Sequence, residues 1–485
     1  MSEQESARVR RIDRSQNVLR AVHIDKLVAA THAVRGIWEL VGQLDLAQFY
    51  KPIRAVQGVA GRTPWDPQLL ISVWIYAYSR GIGSAREISR RCQHDPAFQW
   101  LTGLEEINHH TLSDFRVEHE QGLQELFVQI LAVLSAGGLI QLKRVMHDGT
   151  KIRANAAGDS FRRQGRLQEH LQRAREQIEQ VDEQEQQQAS RRQASARRRG
   201  QRQRAKRLEQ AIEEVKKLQR EGDKGKESRV SWTDPEARIM KLAEGGFAPS
   251  YNVQISTDAQ AKIIVGVGVS QSAADQRLLP EAVARIEENL QAPEQLVADG
   301  GFSCAASIAA LQQQGIDLIM KVPDAAEQMG HGIDPAFGSE AFQYDSQTDS
   351  FVCPAGKKLL YRTKERRPCG TRYRYRANPE DCRHCPLKSQ CCPKTNSGRW
   401  VARRQDDPAV AALRQKMQSP QAQEIYRQRG PIAEFPNLWI KSKLGLRQFS
   451  VRGIKKVTME ATWACLTYNI QQWLRLCWQP QGCDS

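Results

Sequence analysis

Two aspartates are each followed at once by glycine: Asp148 in Val145-Met146-His147-Asp148-Gly149-Thr150, and Asp299 in Val297-Ala298-Asp299-Gly300-Gly301. Each closes a short run that reads as a strand, where an α/β sheet usually presents its chemistry. A strand-end aspartate taken alone is a turn former. Two of them on strands expected to be neighbours make a candidate metal pair, and the glycine beside each lets a bulky ligand approach the backbone. Mg²⁺ or Mn²⁺ suits such a pair, because a hard cation prefers oxygen and is held by one or two carboxylates plus substrate phosphates. Two such ions, about 3.5–4 Å apart, can activate a water or a 3′-hydroxyl and stabilise the leaving oxygen in phosphoryl transfer. A third carboxylate from a late helix would complete the shell. Glu434 is the candidate, with Glu424 and Glu460 behind it.

A second set of residues suits zinc. The chain has 11 cysteines, too few for a disulfide scaffold, and six of them fall between Cys353 and Cys392. Cys382 and Cys385 have the two-residue gap that lets both thiolates reach one tetrahedral ion. With Cys353 and Cys391 they would form a structural Zn²⁺ site, for which Cys369 and Cys392 are substitutes. Beyond Glu434, the cations Lys441, Lys443, Arg447, Arg452, Lys455 and Lys456 are interleaved with Leu446 and Phe449, a spacing suited to phosphate contacts. Asp275 reads as a turn or cap residue. No Gly-x-x-x-x-Gly-Lys loop is present, so ATP-driven chemistry is not supported.

The elements that must position these groups follow from periodicity. Residues 1–140 read as helices, with apolar positions near a 3.6-residue period around Val34 to Val41, after Pro67 and from Leu123 to Leu134. A strand-like run from Arg144 to His147 ends at Asp148. In the 164–228 stretch, Leu167, Leu171, Ala174, Ile178 and Val181 form one heptad seam and Leu208, Ala211, Val215 and Leu218 another. Between them lies the arginine-rich Ser190–Gly200 run, which predicts an antiparallel helical hairpin with a basic tip. Ser250–Ser256 and Ala261–Ser270 then predict a β-hairpin, Pro280–Leu290 a helix, Gln295–Ala298 a strand, Ser303–Gln314 a helix and Ile316–Val322 a strand. Three strands followed by alternating helices match an RNase H-like sheet. The expected fold class is an α/β RNase H-like catalytic core with an all-α N-terminal domain, an inserted helical hairpin and a Cys-rich insertion.

The 485 residues carry 71 Lys plus Arg against 55 Asp plus Glu, a formal net charge of +16, which favours a polyanionic partner such as nucleic acid. Apolar runs fall far short of the ~20 residues of a spanning helix, so no membrane is expected. The first residues lack the apolar core of an export signal, and a cytoplasmic location is expected.

The motifs VMHDGTKIRANA, WTDPEARIMKLAEGGFAPSYNVQISTD and VADGGF, then Tyr426, Arg429, Glu434 and Lys441, occur in the order found in DDE transposases of bacterial insertion sequences. YAYSRGIGSAREISRRC, FQWLTG and HHTLSDFR resemble the branch with a helical N-terminal transposase domain and a cysteine-rich insertion. The resemblance implies a metal-binding triad of Asp148, Asp299 and Glu434, and DNA-contacting roles for Tyr426, Arg429, Lys441, Lys443 and Arg447. Four residues separate Arg429 from Glu434, where the best-known signature has three, and Gly430, Pro431 and Pro436 interrupt the helix expected there. Double-stranded DNA is the implied partner, as terminal inverted repeats and as target, with a homodimer in the DNA complex and association with the bacterial nucleoid. The implied reaction is metal-dependent strand cleavage at the element ends and transfer of the 3′-hydroxyl to target DNA. The alternatives are an inactive DNA-binding protein derived from a transposase, and an RNase H-like nuclease without strand transfer. The expected boundaries are a helical domain over 1–140, with DNA binding as its expected role, a catalytic core over 141–163, 229–322 and 415–485, the basic hairpin over 164–228 and the cysteine-rich insertion over 323–414.

Overall fold

A computed structural model describes residues 21–54, 63–185, 191–221, 228–323 and 332–480, together with Ser15 and Asn17. Among the described residues, seven α-helices come first: α1 (Ala33–Gly42), α2 (Ala47–Tyr50), α3 (Pro67–Ser79), α4 (Ala85–His94), α5 (Pro96–Thr102), α6 (His109–Glu118) and α7 (Glu120–Ala136). Their starts follow from local chemistry. Asp66, Ser84 and Asp95 accept hydrogen bonds from the backbone N–H of Gln68, Glu87 and Ala97, and Pro67 and Pro96 occupy the first turns of α3 and α5. Helix α3 is central, with Ile71, Val73, Trp74, Ile75 and Ala77 sealed from solvent.

The main sheet begins with β1 (Arg144–Arg153). The two-residue strands β2 (Phe161–Arg162) and β3 (Val230–Ser231) pair with each other at the base of the helical hairpin. That hairpin consists of α8 (Gln164–Glu185) and α9 (Arg191–Glu221), and Leu167, Ala174, Leu208, Ala211 and Val215 of the two heptad seams are buried between them. The arginine-rich run does not interrupt the pair as expected: residues 191–200 are already helical, since nothing there breaks a helix before Gly200 and α9 runs through that glycine. The link at 186–190, which includes Ser190, the first residue of the expected tip, lies outside the described residues.

The sheet continues with β4 (Arg238–Lys241), β5 (Phe247–Asp258), β6 (Ile264–Ser270), α10 (Leu279–Asn289), β7 (Gln295–Ala298), α11 (Ala305–Gln313) and β8 (Asp317–Ile319). Its order is β4-β5-β1-β7-β8, with β6 sharing the outer edge of β5. Strand β5 is antiparallel to β1 and β6, whereas β1, β7 and β8 run parallel. Strand β1 does not stop at Asp148 as the sequence suggested. Its other edge stays paired with β5 as far as Arg153 opposite Ser250, and that ladder holds it extended.

The cysteine-rich stretch forms a sheet of its own, which the sequence pattern does not foretell. Its strands are β9 (Gln343–Asp345), β10 (Ser350–Val352), β11 (Lys358–Arg367), β12 (Gly370–Ala377) and β13 (Trp400–Asp406), antiparallel throughout. Short helices α12 (Pro379–Arg383) and α13 (Lys388–Cys391) lie between β12 and β13. The chain then returns through α14 (Pro408–Lys416), α15 (Pro420–Arg427), α16 (Phe435–Ser442) and α17 (Ile454–Leu476). Helix α17 packs against α3, α6 and α7 on one side and β6 on another. Asn469 on α17 accepts from Ile264 N–H at 2.9 Å and donates to Ile264 C=O at 2.8 Å, satisfying edge backbone groups of β6. The N-terminal helices, the main sheet and α17 share one continuous apolar core.

Candidate active site

The parallel pairing of β1 with β7 ends at His147 opposite Ala298. Asp148 on β1 and Asp299, the residue just past the end of β7, come next, so the register sets the two carboxylates side by side. Arg429 reaches both: one guanidinium nitrogen lies 3.9 Å from Asp148 Oδ1 and another 3.9 Å from Asp299 Oδ1. Tyr426 donates its hydroxyl to Asp299 Oδ1 at 3.4 Å, and the Arg429 guanidinium stands 5.9 Å from the Tyr426 ring centre. Burial pushes the Asp148 carboxyl up to about 6; the charge of Arg429 pulls the other way and that of Asp299 adds to the rise. Burial also lowers the Lys441 ammonium from its ordinary value, while the Glu244 and Asp148 charges oppose that fall. Four of the residues singled out in the sequence, Asp148, Asp299, Tyr426 and Arg429, thus stand in mutual reach.

Glu434 requires a different description. Residues Gly430–Glu434 form a π-helical turn between Arg429 and α16. A π turn closes i→i+5 hydrogen bonds and so absorbs one extra residue within a continuing helix. The five-residue step from Arg429 to Glu434 therefore keeps both on one face, and the turn lies against β1 and β5. The Glu434 side chain is exposed and folds back toward Gly430. Among the described residues, no three His, Cys, Asp or Glu side chains stand grouped to hold a metal ion. Lys443 and Arg447 are also exposed, and Arg447 Nε donates to the Lys441 carbonyl at 3.3 Å. The two alternative acids sit elsewhere. Glu424 pairs with Arg427 at 2.7 Å on the surface of α15, and the buried Glu460 accepts from Ser450 N–H at 2.9 Å and Ser450 Oγ at 2.7 Å.

Asn437 was not anticipated. It is buried on α16, three residues past Glu434, and donates to Asp148 Oδ2 at 2.9 Å. The i+3 spacing from Glu434 is the signal that could have found it. Its Oδ1 is buried without a donor. An acceptor of this kind beside two carboxylates that share one guanidinium makes an oxygen-rich set that fits a hard divalent cation.

The opposite face of β1 carries a polar chain. His147, wholly buried and pushed down to about 4 by that burial, bonds Ser256 Oγ and Gln254 Oε1, each at 2.9 Å. Gln254 donates to Asn252 Oδ1 at 2.8 Å, and Asn252 to Asp275 Oδ1 at 2.7 Å. Lys151 donates to both Asp275 oxygens, at 2.9 and 3.0 Å. Asp275 therefore anchors this network and also begins the turn expected there, its carbonyl accepting from Leu278 N–H at 3.2 Å. Gly149 does not make space for a ligand either: a Cβ there would stand 2.5 Å from Gln254 Nε2 and 2.8 Å from Asp275 Oδ1.

Cys353, Cys382, Cys385, Cys391 and Cys392 line one cavity of about 30 Å³ behind Phe342 and Arg399. Backbone N–H groups of Lys357 and Arg399 point at the sulfurs of Cys353 and Cys382, at 3.3 and 3.4 Å. Cys369 is not among them. It lines the cleft beside Gly300 and Gly301. The described cysteines form no disulfide.

Two stretches of the chain match known protein families. Residues 352–474 match the transposase DDE domain, and residues 22–118 match a transposase domain, DUF772. Both matches are to transposase families and are consistent with a DDE transposase of insertion sequences. The first match takes in the thiol cluster, Tyr426, Arg429, Glu434 and Lys441, while Asp148 and Asp299 lie upstream of it. A DDE domain implies an RNase H-like fold and DNA as substrate. No curated protein matches the chain. No described helix is long and apolar enough to cross a membrane.

Proposed function

We propose that the protein is a DNA transposase that cuts the ends of its element and joins the freed 3′-hydroxyl to target DNA. The observation that carries this reading is the β1–β7 register, which sets Asp148 beside Asp299 under Arg429 from the downstream signature. In the first reaction water adds to phosphorus, the P–O3′ bond breaks and the 3′-oxygen leaves as a hydroxyl. In the second that hydroxyl loses its proton, adds to a target phosphorus and displaces the target's own 3′-oxygen. Asp148, Asp299 and Glu434 are the carboxylates that would hold Mg²⁺ or Mn²⁺. Two bound ions supply activation of the attacking oxygen and stabilisation of the leaving one.

The rest of the work falls to the chain. Arg429 aligns the two aspartates, and Asn437 fixes the rotamer of Asp148 through Oδ2. The Tyr426 hydroxyl orients Asp299. Lys441, Lys443 and Arg447 meet phosphates near the scissile bond. The strand order β6-β5-β1-β7-β8, with its first two pairings antiparallel and the last two parallel, supports an RNase H-like core over 141–163, 229–322 and 415–485. The helical segment 1–140 and the hairpin 164–228 are assigned to DNA binding. In the insertion over 323–414, a structural Zn²⁺ held by Cys353, Cys382, Cys385 and Cys391 is part of the reading, supported by the one cavity that these four cysteines line, although their thiols are not drawn together as a ligand set here. One zinc per purified chain is expected, and Cys382→Ser should lose it. Assembly as a homodimer on paired element ends, in the cytoplasm and at the nucleoid, completes the reading.

The test is a mobility assay in cells, with the gene supplied beside a marker flanked by its own genomic ends. Marker movement that is lost in Asp148→Ala, Asp299→Ala and Glu434→Ala supports the reading. Movement that survives Glu434→Ala moves the third acid elsewhere. Cutting by purified protein with Mg²⁺ but without joining would mark a nuclease, and DNA binding with neither would mark an inactive derivative.

A further inference from the structure

One polar atom beside the two aspartates is left over by the roles assigned so far. Asn437 on α16 is buried, and its amide nitrogen is fully used: Nδ2 donates to Asp148 Oδ2 at 2.9 Å and to the Ala433 carbonyl at 3.3 Å. Turning the amide over would set its oxygen against a carboxylate and a carbonyl, which are both acceptors. The orientation of the amide is therefore fixed. Oδ1 is the atom it leaves buried, with no donor among the described residues.

An acceptor sealed from water and given no donor is costly. Holding Asp148 in place does not account for that cost, because the task needs only the nitrogen. The position of the residue bears on what the oxygen is for. Glu434, Asn437 and Lys441 follow one another at i, i+3 and i+7, so one stripe of the helix carries all three. Glu434 is exposed and folds back toward Gly430, whereas Asn437 is buried against Asp148. Amide oxygens are ordinary ligands of hard divalent cations, alongside carboxylates and water.

We propose that Asn437 Oδ1 is a ligand of the divalent ion that Asp148 holds. Both halves of the amide then serve the site, the nitrogen on the carboxylate and the oxygen on the ion. The proposal rests on the transposase reading, which takes Asp148 to hold Mg²⁺ or Mn²⁺. It adds a neutral fourth ligand to the three acids. A neutral oxygen fills a place in the ion's shell without setting another negative charge beside an incoming phosphodiester.

The test is Mn²⁺ binding by the full chain without DNA, followed by titration calorimetry and by the electron spin echo of the bound ion. Asn437→Leu, which removes the oxygen, should weaken Mn²⁺ binding by about tenfold or more. Asn437→His keeps a ring N–H for Asp148 but offers the ion a nitrogen in place of the oxygen. Its bound Mn²⁺ should show coupling to an imidazole nitrogen that the unmodified chain lacks. Mg²⁺, which prefers oxygen, should lose more affinity in this variant than Mn²⁺ does. A residue that only positions Asp148 would give a histidine variant without nitrogen coupling, whatever its affinity, and that result overturns the proposal. So does an unchanged Mn²⁺ affinity in Asn437→Leu. If circular dichroism shows the leucine variant unfolded, the coupling in the histidine variant decides alone. If the coupling is absent while Asp148→Asn loses Mn²⁺ and no longer cuts DNA, the ligand assignment fails and the transposase reading stands. If Asp148→Asn binds Mn²⁺ as tightly as the unmodified chain, both fail.

Discussion

Asp148 combines two demands that pull against each other. A metal ligand must be ionised, yet burial pushes this carboxyl up to about 6 from the ordinary 3.8. A folded-state value raised above the unfolded one means that the native protein binds the proton more tightly. The metal-free protein therefore gains stability as pH falls from 7 through about 6, fully so near 4, and loses it again as pH rises. Asp148→Asn removes the buried charge. It should abolish Mg²⁺-dependent cutting and at the same time stabilise the metal-free chain at pH 7 by on the order of 3 kcal/mol, from about two pKa units. Denaturant melts of both proteins at pH 7 and pH 4 check this: the gap should be present at the first and closed at the second. An asparagine variant less stable at pH 7 would refute the account. At this scale the structure brings together Asp148 and Asp299, picked out by their strand-end positions, with Tyr426 and Arg429, picked out by the family resemblance. The sequence was silent on Asn437, because a lone asparagine in an apolar helix carries no charge signal. It misled on Gly149, because the side chains that crowd its Cβ position come from β5 and from the segment before α10, remote in sequence.

At the scale of elements, the irregular stretch after Arg429 is a helix with one residue too many. Gly430 and Pro431 look like a break only against an α-helical template, whereas a π turn accommodates the same residues without ending the helix. This gives a test by deletion. Removing Ile432 should let the π turn relax to an α turn, with Arg429 and Glu434 still on one face and cutting retained within about tenfold. Removing the exposed Leu438 from α16 should instead rotate Lys441 by about 100° relative to Glu434, as one residue of a 3.6-residue turn requires. Cutting should then fall by well over a hundredfold, while circular dichroism shows both proteins folded. Equal losses in the two would sink the idea that the π turn is a tolerated insertion. The strands of the main sheet were legible because their apolar runs are short and bounded by turns. The five-stranded sheet was not. Strands such as Lys358–Arg367 and Gly370–Ala377 alternate arginine with tyrosine and threonine, so their apolar signal is faint, and cysteine spacing points toward loops instead.

Across the whole molecule, one buried ion pair connects the N-terminal helices to the last one. Arg116 on α6 faces Glu460 on α17 at 3.4 Å, with both side chains sealed from solvent. Arg116 also donates to the Gly83 carbonyl at 2.9 Å and lies 4.7 Å from the Trp74 ring centre. Glu460 meanwhile holds the backbone at Ser450 and Val451, next to the cationic segment that follows α16. Periodicity could propose the helices on either side but not this pairing, since 344 residues separate its partners. Removing one partner of such a pair leaves the other charge buried and uncompensated, which typically costs about 3–5 kcal/mol. Glu460→Gln should therefore lower stability by roughly 3 kcal/mol. Because the N-terminal helices, the main sheet and α17 share one core, the loss should appear as a shift of a single unfolding transition. Two transitions, with only one of them moved, would show instead that the helical segment is an independent unit. The same variant also separates structure from chemistry. Below its melting temperature Glu460→Gln should cut DNA with Mg²⁺ at close to the unmodified rate, because its carboxylate is engaged in holding the fold together. A variant that stays folded but no longer cuts would make Glu460, not Glu434, the third acid.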